Sequence, residues 1–222
     1  MKKFIKIFFP ILILIGLTTY IPSNERFSKS IFFPINNIII ENNNVIKSKN
    51  LENDLKFLKN QSLLFVENQR VKKELLKNEF LNGFEIKKRF PSTIKIIIYE
   101  KVPIAINFQE KKKFFLFENG EKANFFDIEI YSNLPVVIGD SDKFINLRDN
   151  LKFVKFPINL IESFHFFKIG RWDIHLENNI IIKLPKDWYT ESLKNYLQIK
   201  DNKSFENYKI FDYRIKDQLI LN

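Results

Sequence analysis

Fifteen consecutive uncharged residues, Ile7 to Ile21, follow lysines at positions 2, 3 and 6. A run of this kind has to be covered on every side, and a lipid bilayer can do so if the run is long enough to cross it. If Lys6 carries its ammonium back to the headgroups, the run becomes Phe4 to Ile21, 18 residues. At about 1.5 Å per residue it then spans roughly 27 Å, close to the ~30 Å hydrocarbon layer. A cleaved signal peptide shares the basic start and apolar run, but Thr18-Thr19-Tyr20-Ile21-Pro22 offers no Ala-x-Ala-like pair, so a retained anchor over 7–22 is expected. The lysines before it, against Glu25, Arg26 and Lys29 beyond, put residues 1–6 in the cytoplasm, with a linker at 23–31 and everything after it outside.

The remaining 200 residues are long enough for two modest domains. Hydrophobic residues make up 45% of the chain, and 25 phenylalanines supply bulky material for packing. The net charge of +10 is scattered, its longest runs being Lys87 to Arg89 and Lys111 to Lys113. No basic face dense enough to track a phosphate backbone results, so nucleic acid is not the expected partner. Cysteine is absent, which excludes disulfides, thiolate metal sites and a Cys nucleophile.

Within residues 32–101 the pattern predicts strand, helix, helix, strand, strand. Ile35 to Glu41 is β-branched and ends at the Asn42 to Asn44 run. Ser48 offers an N-cap to a helix with Leu51, Leu55 and Leu58 on one face, and Asn68 to a second with Val71, Leu75 and Leu76, ending before Asn82-Gly83. Phe84, Ile86 and Phe90 then alternate with Glu85, Lys87 and Arg89. Pro91 turns the chain, and Ile94, Ile96 and Ile98 share a face of the strand from 93 to 100.

Residues 102–222 predict a mostly antiparallel β domain with flanking helices, making the whole chain α+β. Phe114 to Phe117 and Ala123 to Phe126 form a hairpin about Asn119-Gly120, with the two positive φ angles of a type I′ turn. Phe114, Phe115, Phe117, Phe125 and Phe126 sit at strand spacing and so belong to a core rather than a ligand pocket. A short helix is expected from Asp142 to Asn150. Trp172, Ile174 and Leu176 pair through Asn178-Asn179 with Ile180, Ile182 and Leu184, and Asp187 caps a helix that turns Leu193 and Leu197 inward.

Chemistry is sparse. Asp173, His175 and Glu177 share one strand face and could touch a metal, but their alternation with Trp172, Ile174 and Leu176 is explained by a solvated face. Only one other histidine, His165, exists; with five glycines there is no phosphate loop, and no Gly-x-Ser-x-Gly is present. Asp140 and Asp142 lie in a polar turn, a poor setting for a glycan-cleaving pair. No enzyme activity, cofactor or small-molecule substrate is expected.

Several passages carry a family likeness. Lys88-Arg89-Phe90-Pro91-Ser92-Thr93-Ile94-Lys95-Ile96 and Tyr99-Glu100-Lys101-Val102-Pro103-Ile104-Ala105 resemble the basic-aromatic-Pro-x-Thr-Leu-x-Val and Glu-Arg-x-Pro-Val-Ala passages of a POTRA domain, Lys101 standing for the commoner Arg. Arg171 to Leu176, Ile182-Lys183-Leu184-Pro185 and Ile210 to Ile215 with Leu219-Ile220-Leu221 are similar to passages of a following β domain. In this order they resemble the FtsQ/DivIB family of bacterial division proteins. The resemblance implies a single-pass protein of the inner membrane, concentrated at the septum. Its periplasmic part would bind FtsB and FtsL, and through them or beside them FtsW, FtsI and FtsK.

The family's partner-binding strand maps onto Phe211, Asp212, Tyr213, Arg214 and Ile215, and its basic residue before the strand Trp onto Arg171. The implied device is β-augmentation: an exposed terminal strand whose main chain near Tyr213 pairs with a partner strand, with Tyr213 and Ile215 as contacts and Arg171 meeting an acid. Other readings are a POTRA-containing envelope assembly or secretion component, which about 120 residues cannot complete with a barrel, and an anchored cell-wall enzyme, for which the motifs are missing.

Overall fold

The computed structural model describes residues 11–15 and 32–222. Residues 11–15 are helical, and among the described residues no helix is long and apolar enough to cross a membrane. Apart from those five residues, the expected tail, anchor and linker lie outside the described residues. The chain divides between Glu100 and Lys101 into two compact units.

In the first unit the expected order is present: β1 (Asn37–Glu41), α1 (Ser48–Asp54), α2 (Asn68–Leu75), β2 (Leu81–Arg89) and β3 (Thr93–Glu100), with two 3-10 turns between the helices. The sheet order is β1-β3-β2, β3 pairing parallel with β1 and antiparallel with β2. The most apolar strand therefore takes the centre, and Ile94, Ile96 and Ile98 are wholly buried together with Leu55, Leu58, Leu63, Val71 and Leu75. Each such side chain contributes about 1.5–3 kcal/mol through its lost water contact.

The helix starts differ from expectation. Ser48 and Asn68 are first helical residues, and the cap positions, Lys47 and Glu67, make no side-chain cap bond. The Ser48 hydroxyl instead accepts from Asn43 Nδ2 at 2.7 Å. Leu76 lies past the end of α2 and is exposed, while Asn82 and Gly83 belong to β2 at a register shift rather than to a helix stop. The approach to α1 is held from β3: the Glu100 carboxylate accepts the N–H groups of Asn44, Val45 and Ile46 at 2.7 to 3.0 Å.

The second unit holds one nine-stranded sheet in the order β12-β11-β10-β9-β8-β7-β4-β5-β6. Its strands are β4 (Pro103–Gln109), β5 (Lys112–Phe117), β6 (Lys122–Asn124), β7 (Val136–Ile138), β8 (Ile161–Phe167), β9 (Arg171–Leu176), β10 (Ile181–Lys183), β11 (Ile210–Asp212) and β12 (Ile220–Leu221). Three of its eight pairings are parallel: β4 with β7, β7 with β8, and β10 with β11. Two of these need helical crossovers, which α3 (Ser141–Phe153) supplies between β7 and β8 and α4 (Tyr189–Ile199) between β10 and β11.

Both helices bury residues in one core with the strands: Phe144, Leu147 and Leu151 of α3 and Leu193 and Tyr196 of α4 join Phe164, Trp172, Ile174, Ile182 and Phe211. Asn150 Nδ2 donates to the Tyr189 hydroxyl at 2.7 Å and ties one helix to the other. At the far end of the sheet Phe115 is fully buried beneath Phe125, Phe126 and Tyr131, but Phe126, expected in the core, is itself exposed because it lies on the outside of this ring cluster.

Turn chemistry departs from the sequence reading in two places. The β5–β6 turn closes from the Phe117 carbonyl to the Gly120 N–H, and only Gly120 has positive φ, +83°. That is a three-residue loop with a bulge glycine, not a type I′ turn. The cap of α4 is Trp188, at φ +49°, rather than Asp187. α3 runs from 141 to 153, past both expected ends, with Asp140 accepting the Asp142 N–H as its cap.

Candidate functional site

The terminal strands carry the predicted site residues, and their placement corrects the expectation of an exposed ribbon at 211–215. β11 lies between β10, in parallel, and β12, antiparallel, with Phe211 opposite Leu221 and Asp212 opposite Ile220. Both of its rims are therefore sealed. The Tyr213 N–H also donates to the Lys183 carbonyl at 2.9 Å. The chain leaves the sheet at Arg214, turns through Asp217 at φ +57°, and returns to cover β11.

Side chains follow from this placement. Phe211 and Tyr213 face the helices and are buried, Phe211 crossing Tyr196 edge to face at 5.0 Å between centroids. The Tyr213 hydroxyl donates to Asn195 Oδ1 at 2.9 Å, and burial, then the neighbouring Tyr196, pushes its pKa up. Neither side chain is available as an outward anchor. Ile215 is half-exposed.

Asp212 is buried on the opposite face and is held by Arg214, whose Nε donates to its two oxygens at 2.8 and 2.9 Å. Burial works against the Asp212 carboxylate, but the Arg214 hydrogen bonds and the Arg214 and Lys183 charges outweigh it and hold the pKa low. On that face a charged row crosses four strands in register: His165, Asp173, Lys183 and Asp212. Arg171 stands beside it, half-buried, its guanidinium 4.5 Å from the Phe167 ring centre.

Asp173 does not lie on a solvated face. It is 7% exposed because His165 and Lys183 register on either side of it. Burial pushes its pKa up against the opposing charges of Arg171, Lys183, Arg214 and His175. Its Oδ1, like Arg171 Nε, makes no hydrogen bond among the described residues. His165 and His175 stack at 4.2 Å, and among the described residues no three His, Asp or Glu side chains gather to hold a metal.

Among the described residues, the outermost strand at this end of the sheet is β12. Asn222 exchanges both backbone bonds with Ile210, so alternation turns the N–H and C=O of Leu221 away from β11. Beside β12 opens a cleft of about 300 Å³, lined by Trp188, Glu191 and Asn195 from the α4 side and by Tyr213, Ile215 and Leu219 from the returning chain. Trp188 went unrecognised in the sequence reading, while Ile220 and Leu221 were assigned to the family-like terminal passage but not to a docking edge. The signal for the last two was the polar Lys216-Asp217-Gln218 break before the apolar triplet Leu219-Ile220-Leu221.

Comparison with known proteins agrees with the architecture of the first unit. The family described as POTRA domain, FtsQ-type, matches residues 33–101. The cell division protein FtsQ of Rickettsia felis is 27% identical over 208 residues, covering 91% of this chain and 78% of that protein. FtsQ of Rickettsia typhi is 29% identical over 191 residues, covering 84% and 71%. The solved major extracytoplasmic domain of DivIB from Geobacillus stearothermophilus, in its trans isomer, shares 19% identity over 44% of this chain and 89% of that one, at a TM-score of 0.31 that is too low to bear on the fold. Residues 33–101 thus match a POTRA domain of FtsQ type, and the chain as a whole is similar to FtsQ cell-division proteins.

Proposed function

We propose that this protein is a membrane-anchored divisome scaffold that works by binding rather than catalysis. Anchored by residues 7–22, it holds FtsB and FtsL outside the cytoplasmic membrane and so links early to late division proteins. The docking strand is β12, in place of the 211–215 ribbon expected from sequence. The observation that carries the reading is the outward-facing main chain of Leu221 at the sheet's end, next to a cleft that can take a side chain of an added strand. Ile215, Arg171 and Arg214 supply side-chain contacts, the two cations favouring an acidic partner segment, while Phe211, Asp212 and Tyr213 fix the strand beneath.

The test is Leu221→Pro. Proline removes an N–H that points away from β11 and leaves the Asn222 to Ile210 bonds in place. The full chain carrying Leu221→Pro should fold, by circular dichroism, yet fail to retain FtsB and FtsL from detergent-solubilised membranes, whereas Leu221→Ala, which keeps the N–H, should retain them. Equal retention by both variants would overturn the reading.

A further inference from the structure

Part of the first unit's apolar surface is turned outward at one end. Phe32 is 63% exposed, Phe33 41%, Leu64 43% and Phe90 55%. They are neighbours: the Phe33 and Phe90 rings cross edge to face at 5.1 Å, Leu63 N–H donates to the Phe33 carbonyl, and the Ser62 hydroxyl donates to the Phe32 carbonyl. The Lys88 ammonium donates to the Leu64 carbonyl at 2.9 Å. The run Lys87-Lys88-Arg89, exposed throughout, leads straight into Phe90. A single exposed Phe or Leu is ordinary on a protein surface. Four together, bordered by consecutive cations, match the boundary between acyl chains and phosphate headgroups.

We propose that this end of the first unit rests on the membrane surface and binds anionic phospholipid. The path of the chain argues for lipid as the occupant, an argument that rests on the anchoring reading. Only residues 22–31 separate the apolar run ending at Ile21 from Phe32. Fully extended, they hold Phe32 within about 35–40 Å of the end of that run. Charge argues the same way, because Lys88 and Arg89 continue a basic run in which, among the described residues, Lys87 alone is offset, by Glu85 at 3.3 Å.

Since the chain has no cysteine, one introduced thiol takes a unique environment-sensitive label. Asn36→Cys places it at this end, where the Asn36 N–H donates to the Ser92 carbonyl, and leaves the rings and cations intact. Asn82→Cys places it near the other end of β2, about 23 Å away along the strand. The full chain is reconstituted in vesicles of phosphatidylethanolamine with one quarter phosphatidylglycerol, and lipids brominated near the headgroup serve as quencher. The label at position 36 should be quenched at least about twofold more than that at 82, and Phe90→Ser, or Lys88→Glu with Arg89→Glu, should remove the difference.

Equal quenching at the two positions would overturn the proposal. So would protection of position 36 that arises only when membrane-fraction proteins are added, since the patch would then be a protein interface. Alkaline extraction of the same vesicles reads the anchor separately. A chain released by alkali but quenched at 36 beforehand keeps the lipid contact and loses the anchor, and a retained chain quenched equally at both sites does the reverse.

Discussion

Replacing Glu100 by alanine should unfold the first unit far more readily, although the residue carries no chemistry. Its carboxylate takes three consecutive N–H groups, from Asn44, Val45 and Ile46. Asn44 is exposed and can turn to water, but Val45 and Ile46 are 9% and 4% exposed, so their donors lose a charged acceptor inside the protein. At about 1.5–3 kcal/mol for each bond to a charged group, and with some opening of the segment, the expected loss is about 2–4 kcal/mol. With a urea dependence near 2 kcal/mol per molar, the midpoint falls by about 1–2 M. Both tryptophans, Trp172 and Trp188, lie in the second unit, so intrinsic fluorescence follows that unit. Circular dichroism and amide exchange at Val45 and Ile46 follow the first. Glu100→Gln, which keeps an oxygen acceptor but no charge, should fall between. A Glu100→Ala chain within about 0.5 kcal/mol of the parent, or unchanged exchange at the two amides, would refute the latch.

Phe144→Ala should cost about 3–5 kcal/mol, because Phe144 is 1% exposed and touches both Phe164 and Trp172; the tryptophan-monitored unfolding midpoint reports it. Gly139→Ala should lower the melting temperature more than Gly120→Ala. Both sit at positive φ, but an added Cβ at 139 would lie 2.9 Å from Phe166 Cβ, whereas at 120 it meets nothing within 4 Å. Burial, and then His175, hold His165 below the ordinary imidazole range. A folded pKa below the unfolded one means that stability present above about pH 6.5 is lost as pH falls toward the folded value. The parent should therefore lose more melting temperature between pH 7.5 and 5.5 than His165→Gln, and equal losses would count against this account.

Periodicity made most of the fold legible. Ile94, Ile96 and Ile98, or Trp172, Ile174 and Leu176, can satisfy their spacing only as strands, and both triplets are buried. Local end signals were weaker guides. Ser48, Asn68 and Asp187 have the right side chains for caps, yet each helix is capped one residue away because packing and the Glu100 bonds decide where the chain enters. Asp173 misled for a related reason: alternation assigns a residue to a face, but not how closely neighbouring strands crowd that face. Only the register of β8 and β10 shows His165 and Lys183 on either side of it.

The same limit applies to the proposed docking site. Family likeness pointed to 211–215, and which strand ends the sheet depends on whether three polar residues can turn the chain back. They do, and the resulting edge is only two residues long. So short an edge is a poor template for indiscriminate pairing, which guards the free protein against aggregation and leaves the backbone rungs alone with little affinity. Selectivity must then come from the flanking cleft and the charged row, where Arg171, Lys183 and Arg214 outnumber Asp173 and Asp212 by one positive charge. A partner chosen by that excess binds less well as salt rises, since exposed charges are screened within about 8–10 Å near physiological ionic strength. A partner held by backbone pairing and the cleft alone would hardly respond, so the salt dependence of capture separates the two contributions.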